Sequence, residues 1–205
     1  GLGKDMTLVS LVLPFLFTLG VGLFWFLLPS SILARLPVVI LYAIGIYVLV
    51  STSNVYTVAA IRTIPLLRTA RGVGFVLTLL TSFLISDTIL SFKVPVYITS
   101  IAVFVSSFPL LLQGLWAIPL DKKIDKDLFL MALIFSLIMT EISVGLFFWP
   151  VTIVVGSLVF TVALYVLLGL GQAKLEERLF PQVIREYLVI GFIVFIAMFF
   201  RTSWG

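Results

Sequence analysis

Long apolar runs, separated by short polar or proline-bearing gaps, divide this chain into seven segments: about 6–28, 36–61, 72–92, 94–118, 128–149, 150–170 and 183–200. Each is close to the roughly 20 residues that a helix needs to cross a 30 Å hydrocarbon core at 1.5 Å per residue. The pattern predicts an all-α integral membrane protein. Its expected form is a seven-transmembrane-helix bundle, one domain over residues 1–205 with almost nothing outside the membrane.

Two boundaries rest on turn chemistry. Residues 128–172 contain a single charge, Glu141, and as one helix would be about 68 Å long, twice the bilayer. Trp149-Pro150 is the expected turn, because proline ends one helix and opens the next. At SFKVP (91–95), Lys93 is costly in lipid and Pro95 can start a helix. Both turns are short, so tight antiparallel hairpins are predicted on the outer side. The first segment is longer than the roughly 7–15 apolar residues of a secretory signal and has no clear cleavage site after it, so a retained span is expected. Of the inner stretches, RTIPLLRTAR (62–71) is expected to lie in the interface. QAKLEERLFPQVIRE (172–186) is expected to form a short amphipathic helix leading into the last span. Both read as surface connectors, with docking of a cytoplasmic partner as the alternative.

Charge orients the segments. Lys4, Arg62, Arg68, Arg71, Lys122, Lys123, Lys126, Lys174, Arg178 and Arg185 fall on one side of this partition, and only Arg35, Lys93 and Arg201 on the other. By the positive-inside rule this ten-to-three split places the N-terminus in the cytoplasm and the C-terminus outside. Trp25, Trp116, Trp149 and Trp204 all fall near predicted span ends, as an aromatic belt would.

Composition narrows the chemistry. At 62% hydrophobic and 11% charged residues, with a mean hydropathy of +1.30, the chain is far from a water-soluble globule, in which about a quarter of residues are charged. The bilayer is the expected partner, and a bacterial plasma (inner) membrane fits the compact chain. A homo-oligomer or a membrane protein partner is also compatible. Nucleic-acid binding is not expected, because the basic residues sit in short loops rather than a basic domain. Having neither cysteine nor histidine, the chain lacks thiolate chemistry, the usual general base and the commonest metal ligand. No GxxxxGK[ST], HExxH or GxSxG occurs. No cofactor, metal or catalytic residue is expected. A seven-span count is shared with retinal proteins, but their Schiff-base lysine has no counterpart in 183–200.

Two acids remain within the spans, Asp87 in the third and Glu141 in the fifth. Counted from the inner ends, they lie about 22 and 20 Å into the core, where an ionisable group marks a functional candidate. Their neighbours three and four residues away are apolar, apart from Ser91 beside Asp87 and Gly145 beside Glu141. Gly145 would let another helix approach Glu141. The acids could be protonated and donate hydrogen bonds between helices, could share a proton or cation, or could line a vestibule reached by Arg35, Lys93 and Arg201. They could also act as an acid/base pair in lipid chemistry. A second polar feature is STSNVYT (51–57), in which Asn54 is expected to face other helices. Thr78, Ser82, Ser86, Ser106 and Ser107 could meet it, and the cluster and the acids would then form one polar path. Asp87, Glu141, Ser91 and Asn54 are therefore the candidate ion, proton or solute site. The expected function is a small transporter or ion-conducting protein, and the alternative is a non-catalytic subunit or scaffold on a larger membrane partner.

Overall fold

The computed structural model describes residues 4–60, 65–121 and 123–202, with side chains from residue 8 onward. The side chain of Lys4, and Arg62, Lys122 and Trp204, lie outside the described residues. Among the described residues seven helices follow one another: α1 (Lys4–Leu27), α2 (Ile32–Ala59), α3 (Leu67–Ser91), α4 (Val96–Trp116), α5 (Lys126–Phe147), α6 (Ile153–Leu175) and α7 (Pro181–Arg201). No strand occurs among the described residues, and each helix is long and apolar enough to cross a membrane. The fold is the expected all-α bundle of an integral membrane protein.

The helix ends follow local chemistry. Ser31 caps α2, its hydroxyl accepting from the Ala34 N–H (3.3 Å), so the helix starts before Arg35 rather than after it. Arg35 then lies over the Trp25 ring, 4.9 Å from its centroid. Both expected hairpin turns are present, at Phe92–Pro95 and at Phe148–Thr152. The expected separate helix over 172–186 is not. Residues up to Leu175 continue α6, and Pro181 already begins α7. Between them Glu177 adopts a φ of 58°, while Glu177 N–H donates to Lys174 O (3.1 Å) and Arg178 N–H to Ala173 O (2.8 Å). This is a Schellman close, which ends α6 abruptly.

α3, α4 and α6 make the centre. α3 touches α1, α2, α4 and α6, whereas α4 touches α1, α3, α5 and α6. α2 rests on α1 and α3 only, and α7 on α6 only. The α5–α6 turn also reaches α7, since Trp149 Nε1 donates to Thr202 Oγ1 (2.7 Å) and its ring packs against Phe195 and Phe199. Trp25 and Trp149 are partly exposed near helix ends, but Trp116 is buried and donates from Nε1 to Asp121 O (2.9 Å). It is a core residue, not a belt residue. The outer faces are apolar: Phe26, Leu33 and Phe200 are 84%, 88% and 82% exposed. In water such a surface would aggregate, and in a bilayer lipid chains cover it.

Lipid is as apolar as a leucine side chain, so close packing must hold the helices together. Glycines supply the sockets. Phe17 of α1, fully buried and stacked on Tyr42, fits against Gly45 of α2. Tyr56 of α2 lies over Gly74 of α3, donates to Ala70 O (3.1 Å) and meets the Trp116 ring edge-on. A hydrogen bond further ties α1 to α2. Pro14 has no N–H to offer the carbonyl of Ser10, and the Ser53 hydroxyl of α2 donates to that carbonyl instead (3.0 Å).

These sockets predict that Gly74→Val, which drives a methyl into the Tyr56 phenol, destabilises the protein by about 1–3 kcal/mol. Gly145→Val, where no atom lies within 4 Å of the added carbon, should be nearly neutral. Melting of the detergent-solubilised protein checks both.

Candidate functional site

The hydroxyls of the spans mostly serve their own helices. Thr78, Thr81 and Thr88 of α3 donate to the carbonyls four residues back, at 2.8, 2.7 and 2.9 Å. Ser106, Ser136 and Thr161 do the same in α4, α5 and α6. A hydroxyl so engaged crosses lipid at little cost and is a packing device. Ser91 belongs with them: its Oγ donates to the backbone carbonyl of Asp87 (2.7 Å), not to the carboxyl.

Asp87 differs. It is 8% exposed, and its Oδ1 accepts from Ser157 Oγ of α6 (3.3 Å). Leu84, Ile85, Ser86 and Thr88 around it are buried too, because α3 is packed on several sides. No ion pair of Asp87 occurs among the described residues. Ser157 is itself fully buried and also lies 2.8 Å from Ile153 O. A hydroxyl has one proton to give. Turned to Ile153 O, it leaves its oxygen lone pairs for a protonated Asp87 to donate to; turned to Asp87, it serves the ionised carboxylate. The pair can therefore stay hydrogen-bonded in either protonation state.

The end of the bundle near Asp87 holds further polar groups. Ser100 of α4 and Ser143 of α5 are buried, with hydroxyls that have no hydrogen-bond partner among the described residues. Ser143 lines a cavity of about 370 Å³ between α3, α4, α5 and α6, together with Leu90, Lys93, Thr99, Thr152 and Gly156. Leu90 is nearly one turn beyond Asp87, and Gly156 precedes Ser157. The Leu90 side chain packs on Gly156, and both line the cavity. Sequence reading overlooked Ser143, Ser157, Ser100 and Thr99. The available signal was their position at the same end of consecutive spans, which an apolar stripe with single serines does not advertise.

The other candidates lie elsewhere. Glu141 is exposed on the outward face of α5, in line with Ile134, Leu137, Val144 and Phe148. The buried side of α5 runs Leu128, Ala132, Ser136, Met139, Ser143 and Leu146; Glu141 is two residues from Met139 and Ser143, roughly 200° around the helix. α3 and α5 do not touch, so the two acids share neither a proton nor a cation. No atom of the described residues lies within 4 Å of where a Cβ on Gly145 would stand. Asn54 is also exposed, correcting the expectation that it faces other helices. Gly45, Leu49, Thr52 and Tyr56 form the buried face of α2, and Asn54 falls opposite them. α2 and α4 make no close backbone approach, Tyr56 reaching Trp116 at the end of α4, and no contact of STSNVYT with Ser106 or Ser107 occurs among the described residues; Thr52 and Tyr56 lie instead against Gly74 of α3. Arg35 is engaged with Trp25, and of Arg35, Lys93 and Arg201 it is Lys93 that lines the cavity.

A family model described as "Protein of unknown function (DUF5656)" matches residues 3–201, and the chain belongs to that family. No curated protein and no solved structure matches it.

The cavity predicts that Ser143→Cys reacts with a small water-soluble thiol reagent. Ser136→Cys, two turns further into the fully buried α5 face, should stay unreacted. The chain has no native cysteine to confuse the measurement.

Proposed function

We propose that this member of the family is a small membrane transporter or proton-conducting protein in which Asp87 takes up and releases the proton. One observation carries the reading: a buried carboxyl bonded to a single hydroxyl on a neighbouring helix, about a turn from a cavity in which Lys93, Thr99, Ser143 and Thr152 stand among apolar side chains. An unpaired carboxylate is costly in a membrane, and a proton is the simplest ligand that removes the charge. A cation is a poorer fit, since a hard metal ion asks for about six oxygens. Asp87 has one hydroxyl, and no group of three acids capable of holding a metal occurs among the described residues. Lys93 at the cavity wall would keep cations away and let small anions or neutral solutes approach. No catalysis is assigned to either acid.

A second reading is favoured by Glu141. A carboxyl on an outward apolar face suits a non-catalytic subunit or scaffold, packed through α5 against a larger membrane partner that supplies a cationic or hydrogen-bonding group. An oligomer of this chain is the variant in which two Glu141 carboxyls share a proton.

Proton flux into liposomes reconstituted with purified protein separates the two. Asp87→Asn should lower flux by about tenfold or more, and Glu141→Gln should leave it unchanged. Unchanged flux in folded Asp87→Asn, or flux from neither variant nor wild type above empty liposomes, sinks the transport reading. Stoichiometric co-purification of a membrane protein, lost in Glu141→Gln, supports the second.

The charge split also orients the protein with its N-terminus cytoplasmic and its C-terminus outside, in a bacterial inner membrane. Cysteine at Ser30 should then react with an impermeant maleimide on intact cells, and cysteine at Lys123 only after permeabilisation. The reverse pattern would invert the topology.

A further inference from the structure

We propose that the pocket where α3 begins and α6 ends binds a phosphate-bearing anion. The pocket, about 250 Å³, is lined by Arg68, Arg71, Glu176 and Arg178. Arg71 is held by the end of α4: its Nε donates to Ala117 O (3.0 Å) and its Nη2 to Ile118 O (2.5 Å). Those bonds satisfy carbonyls that a helix end leaves open, and they place Nη1 3.5 Å from Glu176 Oε1. The other oxygen of Glu176 is 3.6 Å from Arg178 Nη1. The Schellman close at Glu177 turns the chain back so that Glu176 and Arg178 face the pocket together.

Charge is left over. Three guanidinium groups meet one carboxylate, a net of two positive charges in a pocket without another acid. Arg71 and Glu176 are spent on each other and on α4. Arg178 is 69% exposed at its side chain and only loosely paired, and exposed Arg68 has no hydrogen-bond or ion-pair partner among the described residues. Arg68 also stands in the first turn of α3, whose N-cap Leu66 provides no side-chain bond. The positive end of that helix favours an anion at the same place. Two planar forks beside a helix start suit tetrahedral phosphate oxygens, which accept paired N–H bonds. A phosphate monoester carries about −1.5 to −2 at neutral pH, close to the surplus.

The pocket lies about 24 Å along α3 from Asp87, at the opposite end of that helix, so it does not depend on the transport reading. It stands where spans end, the level of lipid headgroups. Both an anionic phospholipid and a soluble phosphate compound present the required group.

The test uses the purified full chain in two arms. Native mass spectrometry after exchange into mixed phosphatidylglycerol and phosphatidylcholine reads retained anionic lipid. Melting in inorganic phosphate against chloride at equal ionic strength reads a free anion. Retention of phosphatidylglycerol identifies a headgroup site, and a phosphate-specific rise in melting temperature identifies a soluble ligand. In whichever arm responds, R68Q/R178Q should weaken binding about tenfold or more. K174Q/R185Q removes the same charge from the same end but outside the pocket, and should weaken it by no more than about twofold. Should R68Q/R178Q fail to fold, R68K/R178K keeps the charge without the fork and should still lose more than K174Q/R185Q. Equal losses in the compared double variants, or no response of the wild type in either arm, overturn the proposal.

Discussion

Inside a bilayer no water stands ready to take a hydrogen bond, so each polar group placed there must find its partner within the protein. This constraint shapes the interior. Hydroxyls fold back onto carbonyls of their own helices, as at Thr78, Thr88 and Ser136. A serine from α2 serves the carbonyl that Pro14 leaves without its helical donor. Arg71 bonds the open end of α4, and the Gln172 amide of α6 donates to Gly114 O (2.9 Å) nearby. Against that background, groups with incomplete partnerships among the described residues include Ser100, Ser143 and Gln113 Oε1, while Asp87 keeps one hydroxyl partner and Arg68 none.

The seven spans were legible because crossing a bilayer demands length and apolarity, and both are written into composition. Their ends were legible where proline or charge interrupts a run, as at Trp149-Pro150 and SFKVP. The direction each span faces was not. In a soluble helix the apolar stripe marks the core, but here lipid and core are both apolar, and Leu137 facing outward looks like Leu128 facing inward. Asn54 and Glu141 were assigned to the interior because polarity in lipid is costly, and both lie on outward faces. The glycine sockets for Phe17 and Tyr56 were equally hidden, since a socket is a property of two helices and not of one. Asp87 was legible as a candidate, but Ser157 as its partner was not, because only the packing of α3 on α6 joins residues 70 positions apart.

The two acids therefore part company. Asp87 is buried and bonded to the Ser157 hydroxyl, and the cavity lined by Leu90 and Ser143 lies about a turn along α3. The proton reading proposed above rests on that arrangement. Glu141 lies on an apolar outward face of α5, and the alternative reading rests on it. The proposed readings thus rest on opposite ends of α3 and α6, with Asp87 and Ser157 near one end and the basic pocket at the other, and on the outward carboxyl of α5.

The central claim is that Asp87 holds and releases a proton while bonded to Ser157. Infrared difference spectroscopy of the reconstituted protein, stepped between acid and alkaline buffer, reads this directly through the carbonyl stretch of a protonated carboxyl. The account predicts a pH-dependent band that vanishes in Asp87→Asn, persists in Glu141→Gln and shifts in frequency in Ser157→Ala. A spectrum without such a band, or one that Asp87→Asn leaves intact, would contradict it.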